Sequence, residues 1–308
     1  MPVPEQLGQR VAALAANNTA GASELLREAL DILTTARATG VDMPDVARAV
    51  REAQPTMASL WNAAAAALSP DPERLNVFAQ HVRRAPAALA RYAAAHFADP
   101  DAGGFFRLKA EATKNQVRGF RLQAEDQQFR VVTLSYSSSV VIVLKAIAAT
   151  RRVHVSCSES RPALEGRQLA TDLAAAGMAV TCYSDAAIAD ALDTADAVVV
   201  GADAVASSWF LNKAGTRMLA AVALYQSVPV YVVATRDKFV DDAVAGQLGE
   251  RPVDPREVWD SPPEGVRVHN PYFEATPLDL VTSVISDMGV LGAGMVPDVC
   301  ATSAALHG

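Results

Sequence analysis

The sequence predicts an α/β protein, with a helical domain over residues 1–125 and a parallel-sheet domain over residues 126–308. Three observations carry this reading. The first third is rich in Ala, Leu, Arg and Glu and poor in β-branched runs. After about residue 130 short Val-rich runs begin. Helical patterns separate those runs, and strands alternating with helices build βαβ units whose sheet is covered on both faces.

In order, GASELLREALDILTTARA sets Leu25, Leu26, Ala29, Leu30 and Leu33 at helical spacing. MPDVARAVREAQ and ASLWNAAAAALS read as two further helices. PERLNVFAQHVRRAPAALARYAAAHFAD reads as a longer helical stretch, with Pro86 as a kink or break and Arg83 and Arg84 on a solvated face. The expected strands are RVVTLS, RVHVSCS, MAVTCYS, DAVVVGA and VPVYVVA. SSVVIVLKAIAAT, EGRQLATDLAAAG and NKAGTRMLAAVALYQS are the helices between them. GQLGERPVDPREVWDSPPEGVRVHN, rich in Pro, Gly and charge, reads as a surface arm, and TPLDLVTSVISDMGV resumes an ordered pattern.

Bulk properties narrow the function. The 308 residues carry Lys+Arg 27 against Asp+Glu 34, a formal charge of -7, which gives no general attraction to a nucleic-acid backbone. No apolar run is long enough to cross a bilayer, so no membrane partner is expected. The start lacks the basic-then-apolar pattern of a signal peptide. Cys157, Cys182 and Cys300 lie in no metal spacing, and an odd count reads as reduced thiols in a cytoplasmic compartment. The histidines are scattered, so neither a metal nor a cofactor is expected. Cys157 and Cys182, in apolar strands, read as core residues.

Ligands of open α/β sheets sit outside the carboxyl ends of the strands. Polar clusters fall at such ends: TLSYSSS at 133–139, SESRPALEGR at 158–167, GAD at 201–203, NKAGT at 212–216 and TRDKF at 235–239. NKAGT opens a helix, whose N-terminus offers unpaired N–H groups to an anion, with Gly215 allowing close approach and Thr216 a hydroxyl. Lys213 suits a phosphate or sugar oxygen and Asn212 a hydroxyl. Asp203 at a strand end suits a general base. The same spacing also fits a structural role in which Asp203 caps a turn and Lys213 pairs with it. Arg161 suits a bidentate phosphate contact or an ion pair with Glu159. Ser135 and Ser137 suit a phosphate site or a helix cap, and Tyr136 reads as packed. Lys238, in TRDKF, is a further candidate to hold the phosphate.

Taken in order, ESRPALEGRQLATDLAAAGMAVT, VVVGADAV, NKAGT, VPVYVVATRDKF and TPLDLVTSVISDMGV resemble the family of the regulatory subunits of eukaryotic translation initiation factor 2B. That family also holds aldose-phosphate isomerases acting on methylthioribose 1-phosphate and ribose 1,5-bisphosphate. The likeness runs over roughly residues 17–300. It implies a helical N-terminal domain, a Rossmann-like C-terminal domain, and homodimers or pairing with related subunits through the latter. It places the isomerases' Asp on Asp203, their substrate-contacting Asn-Lys pair on Asn212 and Lys213, and their N-terminal Gly-Ala on Gly21 and Ala22. The isomerases' Cys falls on Ser135, and two phosphate-holding arginines fall on Ala20 and Gln54. Each lost guanidinium removes a charge-assisted contact worth about 1.5 to 3 kcal/mol.

Two readings follow from the resemblance. The first is a regulatory, translation-factor-like protein that binds a sugar phosphate or nucleotide, as the Thr133, Tyr136 and Ser137 match to the alpha subunit implies. The second is an aldose–ketose isomerase with Asp203 as general acid/base and Ser135 or a bound water serving the ring oxygen. The losses at Ser135, Ala20 and Gln54 place the first slightly ahead.

Overall fold

The structure is a computed structural model that describes residues 4–17, 21–98, 128–249 and 253–303. Five helices lead: α1 (Glu5–Ala16), α2 (Ala22–Ala38), α3 (Met43–Ala53), α4 (Ala58–Leu68) and α5 (Arg74–Ala98). The apolar positions of α2 read from the sequence are all buried, and they pack with Val46, Val50, Leu60 and Leu75 into a helical core. Helix α5 continues through Pro86, so the expected break does not occur. Its first half gives Leu75 and Phe78 to the helical core, and its second half gives Leu89, Ala93 and Phe97 to the core of the sheet. The domain boundary expected near residue 125 falls within 99–127, outside the described residues.

The second half alternates β1 (Phe129–Thr133), α6 (Ser138–Ala148), β2 (Val153–Ser158), α7 (Glu165–Ala175), β3 (Ala179–Tyr183), β4 (Ala197–Gly201), β5 (Ala204–Val205), β6 (Trp209–Lys213), α8 (Thr216–Tyr225) and β7 (Val230–Val233). After the arm come β8 (Phe273–Pro277), β9 (Ser283–Ser286), β10 (Gly289–Gly292) and α9 (Val296–Ser303), numbered without the single turn of helix at Asp242–Ala245. The main sheet runs β10-β9-β7-β4-β1-β2-β3, parallel except for the β9–β10 hairpin. Apart from that hairpin, this is the doubly wound order, reversing direction between β1 and β4, where ligands of such sheets sit.

A second, antiparallel sheet, β5-β6-β8, takes in the first residues of NKAGT, which the sequence pattern places at a helix start. SSWFLNK is short and bounded by turn residues, so its alternation of buried and half-buried positions is too brief to stand out. Asn212 and Lys213 therefore end a strand, and the helix begins only at Thr216. Cys157 is buried in β2, and burial pushes its thiol up to about 12. Cys182 is exposed, contrary to its reading as core, because β3 is the outer strand of the sheet on that side.

The two halves are tied at α4. Asn62, fully buried, donates to the carbonyls of Asp237 at 2.7 Å and Phe239 at 2.9 Å. The Ala58 N–H, at the start of α4, donates to the carbonyl of Asp203 at 3.2 Å.

Candidate functional site

A cavity of about 700 Å³ opens at the reversal point of the sheet, between its carboxyl ends and the helical half. Three helices begin on it. Gly21 and Ala22 start α2, Ser137 and Ser138 start α6, and Leu164 and Glu165 start α7. Ser23 and Ser138 hydroxyls, 2.8 Å apart, link the first two tips. Converging N-termini give a cavity electropositive backbone without a cluster of cationic side chains.

The β1–α6 loop is shaped by backbone strain. Ser135 lies at φ 62, and facing it Ser160 and Leu164 lie at φ 62 and 61. Left-handed conformations cost a non-glycine residue about 1 kcal/mol or more each, and they gather where a site fixes them. The Ser135 N–H donates to Ser160 Oγ at 2.7 Å. Its hydroxyl donates to Glu165 Oε1 at 3.1 Å. Ser137 caps α6 through the Val140 N–H, and it packs so tightly on the end of β4 that a Cβ at Gly201 would come within 2.6 Å of its Oγ. Tyr136 also lines the cavity. Its hydroxyl donates to Asp172, and burial with that hydrogen bond pushes it up to about 12, so it stays protonated at neutral pH.

Asp203 lines the cavity just beyond β4, half-buried. Its N–H donates to Leu211 O at 2.8 Å and its carbonyl accepts from Ala58, so both halves of the chain hold it. Lys213 is nearly buried. Its Nζ sits 2.5 Å from Glu165 Oε1 and 3.8 Å from the centre of the Tyr272 ring, both residues of the cavity wall. Asn212 lines the cavity and donates to Thr216 Oγ1 at 2.9 Å. Lys238 lines it too, with its amine donating to Ala202 O at 2.5 Å. Burial pushes the neighbouring Asp237 carboxyl above the usual range, against the opposing pull of Lys238.

The structure gathers Gly21, Ala22, Ser135, Ser137, Asp203, Asn212 and Lys238 around this cavity and sets Lys213 against its wall. Arg161 is not with them: its guanidinium donates to the Glu257 carbonyl at 3.2 Å, on the exposed side. Gly215 and Thr216 also stand back from it. The expected anion at their helix tip is an internal one, since Glu274 Oε1 accepts from the Gly215 N–H at 2.8 Å and the Arg217 N–H at 2.9 Å. A strand 59 residues away supplies that carboxylate, a pairing no local pattern reveals. Thr216 instead donates to the Lys213 carbonyl at 2.6 Å.

Gln54 lines the cavity, buried, and donates to the Leu14 and Asn17 carbonyls at 3.0 and 3.1 Å. A neutral amide there serves the end of α1. Ala20 lies outside the described residues. The sequence reading passed over Glu165, Arg167 and Tyr272, all in the wall. The signal for the first two was present in EGR, which starts a helix directly after a strand-end cluster.

The family model of the Initiation factor 2 subunit family matches residues 5–293. The chain belongs to this family. The ribose 1,5-bisphosphate isomerase of Archaeoglobus fulgidus is 34% identical over 161 residues, 50% of this chain and 51% of that protein. The methylthioribose-1-phosphate isomerase of Synechocystis is 33% identical over 181 residues, 55% of this chain and 51% of the relative. The chain thus spans about half the length of the curated relatives it matches. Among solved structures, the translation initiation factor eIF-2B of Pyrococcus horikoshii OT3 superposes with a TM-score of 0.72 at 23% identity, covering 94% of this chain and 98% of that one. The 5-methylthioribose 1-phosphate isomerase of the same organism gives 0.65 at 19%, covering 97% and 88%. These two likenesses establish the fold of the initiation factor 2 subunit family member described here. No described helix is long and apolar enough to cross a membrane.

Proposed function

We propose that this chain is an aldose–ketose isomerase acting on a ribose-type sugar phosphorylated at C1. The observation that carries it is the meeting of Ser135, Asp203 and Asn212 in one cavity, with Lys213 held at its wall. The relatives named as sugar-phosphate isomerases support the same reading and move it ahead of the regulatory one. In this reading Asp203 carries the proton between C2 and C1. Lys213 and Asn212 steady the oxygen that becomes the carbonyl, and Ser135 serves the ring oxygen. The helix tips of α2 and α6, with Lys238, receive the phosphate. The proposal includes pairing of two copies through the sheet half.

Thermal unfolding in ribose 1-phosphate, ribose 1,5-bisphosphate, methylthioribose 1-phosphate and nucleoside monophosphates tests it first. A ligand at 100 to 1,000 times its Kd adds roughly 2.7 to 4.1 kcal/mol. Turnover of the stabilising sugar phosphate, abolished in Asp203→Asn, is the expected result. Stabilisation without turnover would return the chain to the ligand-binding reading, and turnover that survives Asp203→Asn would remove the base. Sedimentation at micromolar protein reads the pairing, and a monomer there would remove it.

A further inference from the structure

Glu165 has no assigned part in this chemistry, yet it sits where Ser135 and Lys213 meet. One of its oxygens accepts from both, Lys213 Nζ at 2.5 Å and Ser135 Oγ at 3.1 Å. Its other oxygen is buried without a hydrogen-bond partner. The placement is enforced by the backbone. Leu164 adopts a left-handed conformation immediately before it, and Gly166 follows it at a point where a Cβ would lie 1.8 Å from the Ser158 carbonyl oxygen. A plain counter-ion for Lys213 has no need of the Ser135 hydroxyl. A serine asked to move a proton has every need of a carboxylate, because its own hydroxyl neither gains nor loses one readily near neutral pH.

We propose that Glu165 is the relay that lets Ser135 move protons, an inference that rests on the isomerase reading. One proton leaves the Lys213 ammonium for Glu165 Oε1, and the Glu165 proton passes to Ser135 Oγ. The Ser135 proton passes to the ring oxygen as the bond from C1 to that oxygen breaks. Asp203 moves the C2 hydrogen to C1. The hydroxyl proton on C2 then returns along the same line as the carbonyl forms, through Ser135 and Glu165 to the Lys213 amine. Every bond formed along the line is matched by one broken, and the site ends in its starting state. Glu165 acts through Ser135 and is a positioning and relay residue.

The experiment compares Glu165→Gln, Ser135→Ala and the double variant with the wild type, using the sugar phosphate that the wild type turns over. Glutamine keeps an oxygen for both partners but cannot carry the proton. Glu165→Gln should lower kcat at least about 100-fold, with KM within about threefold and ligand stabilisation retained. The double variant should be no slower than the slower single one, because both changes cut one line. A kcat within about fivefold of wild type, or losses that multiply in the double variant, would overturn the relay and leave the isomerase reading standing. Absence of wild-type turnover on every sugar phosphate tried would overturn the reading itself, and the relay with it. If Glu165→Gln does not fold, Glu165→Asp keeps the charge beside Lys213 and withdraws the oxygen from Ser135. Its kcat should fall at least about tenfold, and wild-type turnover there would also overturn the relay.

Discussion

Replacing Lys213 by Met isolates the charge pair at the cavity wall. Lys213 and Glu165 side chains are 3% and 21% exposed, so removing the cation leaves a largely buried carboxylate with the Ser135 hydroxyl but no counter-charge from Lys213. Breaking a buried pair in this way costs about 3 to 5 kcal/mol, and the residual exposure of Glu165 puts the loss near the lower end. Losing the cation from the Tyr272 ring, 3.8 Å away, adds about 1 kcal/mol. Met fills much of the same volume, so little cavity cost accompanies the change. Lys213→Met should therefore lower unfolding free energy by about 4 kcal/mol, read from urea denaturation followed by tryptophan fluorescence. Adding Glu165→Gln should recover about 2 kcal/mol of it, because the stranded charge is gone. A loss under about 1 kcal/mol, or no recovery in the double variant, would refute the claim that this pair is desolvated and coupled.

Three further outcomes are expected. Asn62→Ala leaves the Asp237 and Phe239 carbonyls without that donor and should cost about 2 to 4 kcal/mol, with weaker sugar-phosphate binding because the turn carrying Lys238 loses its anchor; calorimetry reads both. Gly166→Ala drives a methyl into the Ser158 carbonyl and should cost about 3 kcal/mol and move the start of α7, seen as a lower Tm and lost turnover. Burial raises the Asp287 carboxyl, but hydrogen bonds from His81 and the Arg236 N–H outweigh it and hold the group below the usual carboxylate range. A depressed carboxyl stabilises fully above its unfolded value of about 3.9, and that contribution disappears as pH falls through the folded value. Asp287→Asn should accordingly flatten the pH dependence of stability below about pH 4, as acid titrations of both forms would reveal.

The order of strands and helices was legible because Val-rich runs of 4–6 residues and amphipathic stretches obey different periods. The strand ends that bear Ser135, Asp203 and Lys238 were legible for the same reason, since topology sends the ends of parallel strands to one side. What escaped was set by contacts between distant segments. Lys213 was weighed against Asp203, ten residues away, while its partner at 2.5 Å is Glu165, 48 residues away. The helix tip at Gly215 looked open to a ligand because its occupant, Glu274, comes from β8 across the small sheet. Pro86 suggested a break, yet α5 runs on because its two ends are gripped by two cores, which outweighs the one hydrogen bond that proline removes.

That shared helix also limits how the protein can breathe. Swinging the helical half away from the sheet would strip Leu89, Ala93 and Phe97 from one core, or Leu75 and Phe78 from the other. Either would expose two large side chains, at roughly 1.5 to 3 kcal/mol apiece. A clamshell opening of the two halves therefore carries a cost of several kcal/mol. The helical half and the sheet half that wall the cavity are thereby held together by one helix that spans both cores.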